Sequence, residues 1–126
     1  MALEFMRSES SASPIEKEIP ATNGTEYKHG VGLKYGSAGT AVTGGTEYVY
    51  VGKDITAKTG DILAVIPVLP EYEFATQFSA DASALKAGTK VTIDADGKAT
   101  ATTASGVFEI LADGGVTGAS IVGRFS

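Results

Sequence analysis

Short apolar segments separated by glycine make up most of the chain after Tyr27, and this pattern is the strongest constraint on its fold. Most of the 16 glycines among the 126 residues lie in this part. Glycine weakens helices and strands but readily adopts the backbone angles of tight turns. Between the glycines, apolar residues recur at every second position, which is the period of a strand. The pattern therefore predicts a series of short β-strands joined by tight turns.

Several strands can be assigned individually. Residues 62–68 are almost all apolar, which is typical of a buried central strand, and Pro67 is expected to end its pairing. Residues 72–78 alternate so that one face is mainly aromatic. Asp96-Gly97, between two alternating segments, predicts a hairpin. Further strands are expected at residues 31–35, 107–111 and 120–125.

Residues 47–51 have apolar side chains on both faces, because Tyr48 and Tyr50 share one face while Val49 and Val51 share the other. The only predicted helix covers residues 79–86, a turn or two that Gly88 ends. Eight or so short strands with tight turns indicate a mainly β fold. We expect a barrel or a sandwich formed by a single domain over residues 26–126, with at most one short helix.

The N-terminal residues 1–25 differ in composition from the rest of the chain and are predicted to form a flexible arm. Residues 7–25 are rich in Ser, Glu, Pro, Ala and Thr and show no period of two or of 3.6 residues. Residues 1–5, ahead of Met6, have the composition of a cloning remnant. Two isoleucines among charged residues suggest that one stretch of the arm adds as an edge strand to a partner. The candidate partner-binding residues are Pro14, Ile15, Glu16, Lys17, Glu18, Ile19 and Pro20.

The composition argues against several classes of protein. There is no Cys, so disulfides, thiolate metal sites and a Cys nucleophile are excluded. The formal net charge of −5 disfavours nucleic acid and anionic membrane surfaces as partners. The longest apolar run, residues 62–69, is far shorter than the ~18 residues needed to cross a bilayer.

No catalytic, metal or cofactor site is expected from the motifs. His29 is the only histidine, lies at the junction of arm and domain, and is interpreted as facing solvent. Asp94-Ala95-Asp96-Gly97 has some likeness to a calcium loop, but Thr92 and Thr103 occupy the positions at which an EF-hand needs carboxylates. The hairpin interpretation is therefore favoured, and we expect that the chain is not an enzyme.

Two segments carry a resemblance to a known family. Ala87-Gly88-Thr89-Lys90-Val91-Thr92-Ile93-Asp94-Ala95-Asp96-Gly97-Lys98 and the terminal Val122-Gly123-Arg124-Phe125 resemble the small head-decoration proteins of tailed bacteriophages. The resemblance covers roughly residues 57–126 as a succession of glycine-led turns and short strands. It implies a small β-barrel or β-tulip-like domain. It also implies a capsid-stabilising virion protein, made in the host cytoplasm, that binds the outer capsid surface as a homotrimer and clamps neighbouring major capsid proteins.

The resemblance also implies a purpose for the N-terminal arm, which in such proteins orders on the shell by pairing with a capsid strand. Deleting residues 1–25 is then expected to weaken shell binding and to leave the melting temperature almost unchanged.

Two other interpretations remain open. One is a carbohydrate- or receptor-binding β module in which Tyr48, Tyr50 and Tyr72 form an exposed aromatic platform, although core packing explains these tyrosines equally well. The other is a lipoyl or biotinyl carrier domain with Lys98 as the modified residue. Lys98 follows Asp-Gly and lacks the acidic or methionine context that the modifying enzymes recognise, which disfavours the carrier.

Overall fold

Twelve short strands account for the regular structure in the computed structural model, which describes residues 2–8 and 15–126. No helix occurs among these residues, so none is long and apolar enough to span a membrane. The strands are β1 Glu4–Ser8, β2 Lys17–Pro20, β3 Glu26–Tyr27, β4 Gly32–Tyr35, β5 Ala41–Thr43, β6 Tyr48–Tyr50, β7 Ile55–Thr56, β8 Ile62–Pro67, β9 Tyr72–Gln77, β10 Lys90–Val91, β11 Phe108–Ile110 and β12 Ser120–Phe125. The predicted mainly β fold is confirmed.

The strands form two open five-stranded sheets and one small two-stranded sheet. Sheet I has the order β1-β9-β12-β11-β10, and sheet II has the order β2-β8-β6-β4-β5. All the ladders are antiparallel, and β3 pairs with β7 in the small sheet. A single parallel bridge between Ala21 and Ala41 brings the two edges of sheet II together at one point. The ladders themselves do not close into a barrel.

Core I lies between the two sheets and contains most of the phenylalanine. Phe74, Phe78, Phe108 and Phe125 are buried in it, and Phe5 packs against it. The rings meet edge to face, with centroids 5.8 Å apart for Phe74 and Phe125 and 5.2 Å apart for Phe108 and Phe125. Edge-to-face pairs add about 0.5–1.5 kcal/mol each beyond the burial of their area. These ring contacts link the strands β9, β11 and β12 of sheet I.

Core II lies on the other face of sheet II and is covered by β3 and β7. It contains Leu33, Leu63 and Val65 from sheet II together with Tyr27 from β3. Sheet II is thus covered on both faces, as the sequence of β6 predicts: Tyr48 and Tyr50 pack in or against core II, while Val49 and Val51 pack in or against core I. The prediction that residues 62–68 form a central strand is also confirmed, because β8 lies between β2 and β6.

The predicted helix over residues 79–86 is wrong, because this segment is tied to a distant loop. Ala82 is 2% exposed, and its N–H donates to the carbonyl of Gly115 at 2.8 Å. The N–H of Gly114 donates to the carbonyl of Leu85 at 2.9 Å. A helix would turn these groups toward bonding partners four residues away. The segment instead forms turns that hold the loop between β11 and β12.

The prediction of a flexible arm ending at Thr25 is wrong for the residues that the structure describes. Leu3 is 1% exposed and belongs to core I, and Ile19 is 1% exposed and belongs to core II. Phe5 packs edge-on against Tyr72 with ring centroids 5.3 Å apart. Residues 2–5, which resemble a cloning remnant in sequence, are thus part of the folded domain. Burial of single apolar residues fixes both segments, and residues 9–14 lie outside the described part.

Candidate partner-binding edge

The strand β2 forms one edge of sheet II and contains most of the residues predicted to bind a partner. Among the strands of the described chain it pairs only with β8, with Lys17 opposite Val65 and Pro20 opposite Ile62. A strand with one neighbour leaves the backbone N–H and C=O groups of its outer side without a ladder partner. An extended segment of another protein can extend the sheet at such an edge.

The side chains of β2 divide cleanly between core and surface. Ile19 points into core II and anchors the strand, whereas Lys17, Glu18 and Pro20 are exposed. Ile15, which precedes the strand, is 66% exposed, and Ile62, which lies opposite Pro20, is 60% exposed. The edge therefore has a charged centre with an exposed isoleucine near each end. Exposed isoleucines beside an unpaired edge are typical of a surface that a partner covers.

A groove extends the edge at its Pro20 end. Its volume is about 490 Å³, and its lining includes Pro20, Ala21, Thr40, Thr59 and Ile62. The hydroxyl of Thr22 donates to the carbonyl of Ala41 at 2.8 Å and holds one wall of the groove against β5. The groove has room for an apolar side chain of a strand that pairs with β2.

The structure changes how the predicted binding residues can act. Pro14 lies outside the described residues, and Ile19 is unavailable because it is in the core. Ile15, Glu16, Lys17, Glu18 and Pro20 are all exposed. They were predicted to belong to a free arm that is added to a partner. They instead belong to a strand already paired within the domain, which can accept a partner strand on its outer side.

Ile62 is the member of this surface that sequence reasoning missed. The apolar run of residues 62–68 predicts that every side chain in it is buried. In the structure, Leu63 and Val65 are fully buried while Ile62 and Ala64 are exposed. The first half of β8 buries only the face that carries Leu63 and Val65, which packs in core II, and this can be known only from the structure. No signal in the sequence distinguishes Ile62 from Ile66, which is 4% exposed.

The predicted tyrosine platform is not an exposed surface in this fold. Tyr50 and Tyr72 are 3% and 2% exposed, which confirms the core-packing interpretation for both. The exposed aromatic residue is Tyr35 at 44%, and its ring meets Tyr48 edge to face at 5.7 Å. A single exposed ring next to a half-buried one provides less stacking area than the three tyrosines that the hypothesis requires.

The turn at Asp94 is the hairpin that the Asp-Gly pair predicts. Ile93 and Ala99 form an antiparallel bridge, and the N–H of Asp94 donates to the carbonyl of Lys98 at 2.8 Å. The Asp94 carboxylate accepts hydrogen bonds from the N–H groups of Asp96 and Lys98 at 2.9 and 3.0 Å. This carboxylate therefore organises the turn. In the described part of the chain, no three His, Asp or Glu side chains are grouped to hold a metal ion.

The side chain of His29 is only partly exposed and both of its ring nitrogens have hydrogen-bond partners, unlike the solvent-facing residue that the sequence predicts. Its Nε2 lies 2.7 Å from Oε1 of Glu4, and its Nδ1 lies 2.9 Å from the carbonyl oxygen of Gly52. Burial alone lowers the pKa of His29, but the carbonyl of Gly52 and the charge of Glu4 outweigh it, so the pKa is raised above 6.5. No nucleophilic side chain is in contact with the ring among the contacts of the described residues.

The outer face of sheet I is a second exposed surface. Lys90, Glu109 and Arg124 lie side by side on adjacent strands, and Nε of Arg124 donates to Oε1 of Glu109 at 3.0 Å. Met6 and Leu111, 54% and 38% exposed, line a groove of about 780 Å³ on the same face. The face combines an internal ion pair with apolar side chains, but it offers no unpaired backbone along its centre, where β9, β12 and β11 are flanked on both sides.

Comparison of the chain with protein-family models and with curated proteins finds no match.

Proposed function

We propose that the chain is a structural virion protein without catalytic activity, which binds the outer surface of a phage capsid and stabilises the shell. It clamps neighbouring major capsid proteins together, acts as a homotrimer, and is made in the host cytoplasm before it binds the shell. The observation that carries the proposal is the β2 edge, which among the described strands forms a ladder only with β8 and has the exposed side chains of Ile15 and Ile62 near its ends.

The β2 edge suits this role because strand addition supplies affinity through main-chain hydrogen bonds. The buried side chain of Ile19 anchors β2 from the inside, so a partner strand pairs with a preorganised edge and less ordering entropy is lost on binding. Lys17 and Glu18 in the centre of the edge supply one charge of each sign for orienting the partner.

Clamping does not require a deep pocket. A symmetric oligomer that makes several modest contacts on one shell gains avidity, because each further contact forms at a high effective concentration. The shallow grooves and the exposed edge strand are compatible with such distributed binding. A homotrimer would present three β2 edges to neighbouring capsid subunits.

The experiment is a sedimentation assay with expanded shells assembled from the major capsid protein encoded nearest to this gene. The proposal predicts saturable co-sedimentation and a higher melting temperature of the loaded shells. Analytical ultracentrifugation of the free protein tests the trimer separately. Absence of shell binding, together with binding to arrayed glycans, would replace the proposal with the carbohydrate-binding alternative.

A further inference from the structure

The ring of His29 lies between two groups that can only accept hydrogen bonds. Oε1 of Glu4 is 2.7 Å from Nε2, and the carbonyl oxygen of Gly52 is 2.9 Å from Nδ1. An ionised carboxylate and a backbone carbonyl have no proton to donate. Both contacts are satisfied together only when each ring nitrogen carries a proton, which is the imidazolium form. The geometry thus selects the charged state of His29.

The two contacts join parts of the fold that are distant in sequence. Glu4 is in β1, the edge strand of sheet I, while Gly52 follows β6 of sheet II. Next to the ring, the N–H of Leu3 donates to the carbonyl of Gly30 at 3.1 Å, and the N–H of Gly30 donates to the carbonyl of Tyr50 at 2.8 Å. The turn at His29 and Gly30 is therefore the point at which β1 is attached to sheet II.

The other charged groups near the ring leave Glu4 as its ion-pair partner. The Asp54 carboxylate accepts the backbone N–H of His29 at 2.9 Å. Lys28 is paired with Glu26 at 3.5 Å, and Lys53 is exposed. The hydroxyl of Tyr50 donates to the carbonyl of Lys53, and burial together with the charge of Asp54 raises the pKa of this phenol, so it stays neutral.

We propose that His29 is a protonation-dependent latch that fastens β1 to the domain while both ring nitrogens carry a proton and loosens it when one proton is lost. A neutral ring has one N–H group and keeps only one of the two bonds. The other nitrogen then directs its lone pair at an oxygen atom, so an attractive contact becomes a repulsive one. This device is independent of the proposed function.

The direction of the pH effect follows from the raised pKa of His29 in the folded chain. Burial acts against the charged form, but the backbone of Gly52, the Glu4 carboxylate and the backbone of Val51 together raise the pKa above the ordinary histidine value of 6.5. The pKa of His29 is higher in the folded chain than in the unfolded chain. The contacts of the charged ring therefore stabilise the folded state fully below about pH 6.5, and this stabilisation is lost as the pH rises through the folded pKa. The latch is therefore closed in mild acid and opens as the pH rises through the folded pKa of His29.

The ring can be titrated directly by NMR, because His29 is the only histidine and its resonances need no assignment by mutation. We expect a pKa above 6.5 in the intact chain and a lower pKa in the Glu4→Gln variant. The matched control is Glu26→Gln, because Glu26 is also exposed and bonds to Lys28 instead of the ring. A pKa at or below 6.5 in the unaltered chain would overturn the proposal, and this readout does not depend on any variant folding.

Opening of β1 is measured by amide hydrogen exchange of Leu3, with intrinsic exchange rates corrected for pH. Between about pH 5.5 and about pH 8.5 we expect its opening to increase by about two- to fivefold, the range typical of a partly exposed ion pair. Glu4→Gln should remove this pH dependence, and Glu26→Gln should retain it. Equal pH dependence in the parent and in Glu4→Gln would show that the ring does not fasten β1.

Discussion

The backbone N–H of Leu3 donates a hydrogen bond to the carbonyl oxygen of Gly30 at 3.1 Å, and this contact ties the start of the chain to the turn after β3. Leu3 itself is 1% exposed within core I. The first strand is thus held by a ladder with β9, by a buried side chain and by a turn from another part of the chain. Stability of the domain should therefore depend on residues that the composition assigns to an arm.

Leu3→Ala should destabilise the domain by about 2–4 kcal/mol, because it removes a buried side chain from core I and leaves a cavity. Met6→Ala, in the strand β1 that directly follows Leu3 but 54% exposed, is the matched control and should change the stability by less than about 0.5 kcal/mol. Urea unfolding of both variants measures the difference. Equal stability of the two variants would show that β1 is not docked as described.

Gly30→Ala should destabilise the chain more than Gly24→Ala, although both glycines have positive φ angles, +85° and +82°. At Gly24 a Cβ meets nothing within 4 Å, so the cost is the backbone strain of about 1–2 kcal/mol. At Gly30 a Cβ would lie 2.6 Å from Cβ of Ala2 and 2.7 Å from the carbonyl oxygen of Leu3, which adds about 1–3 kcal/mol. Thermal melting of the two variants side by side tests this order.

Asp94→Ala should cost about 1 kcal/mol, because two backbone N–H groups of the turn lose their acceptor. Asp96→Ala is the control, because it removes a neighbouring carboxylate that makes no hydrogen bond in the described contacts. The stability of this variant should stay within about 0.5 kcal/mol of the parent. Chemical denaturation of the pair compares them. A larger loss for Asp96→Ala would contradict the assignment of the turn to the Asp94 carboxylate.

Much of the fold could be predicted because its signals are local. The strand at residues 120–125 and the two-sided burial of β6 follow from alternation within a few residues, and the Asp94 turn follows from Asp-Gly. The N-terminal strands have no such signal. Leu3 and Ile19 are isolated apolar residues whose burial depends on pairing with β9 and β8, far along the chain.

The wrong prediction of a helix over residues 79–86 also results from contacts between distant parts of the chain. Residues 79–86 contain good capping residues and alanines, but their backbone groups bond to Gly115 and Gly114 across the fold. In the candidate site, the segment ending at Pro20 is selected because two isoleucines stand among charged residues, and its role in binding stays a prediction. Its pairing with β8 could not be predicted, because register is set by long-range packing.

Ile19→Ala should destabilise the domain by about 2–4 kcal/mol, because Ile19 is fully buried in core II. Ile15→Ala alters a side chain that is 66% exposed and should leave unfolding within about 0.5 kcal/mol of the parent. Deleting residues 1–25 should accordingly lower the melting temperature strongly, contrary to the expectation for a flexible arm. An unchanged melting temperature after that deletion would show that β1 and β2 contribute nothing to the core.

The proposed binding of the β2 edge to a shell is tested most directly by the dissociation constant of the Ile15→Glu/Ile62→Glu double variant for expanded shells. Both side chains are exposed, so the variant should melt like the parent but bind about tenfold or more weakly. Val116→Glu, at a residue 61% exposed in the loop between β11 and β12, is the control and should bind like the parent. Parent-like binding by the double variant would contradict the account.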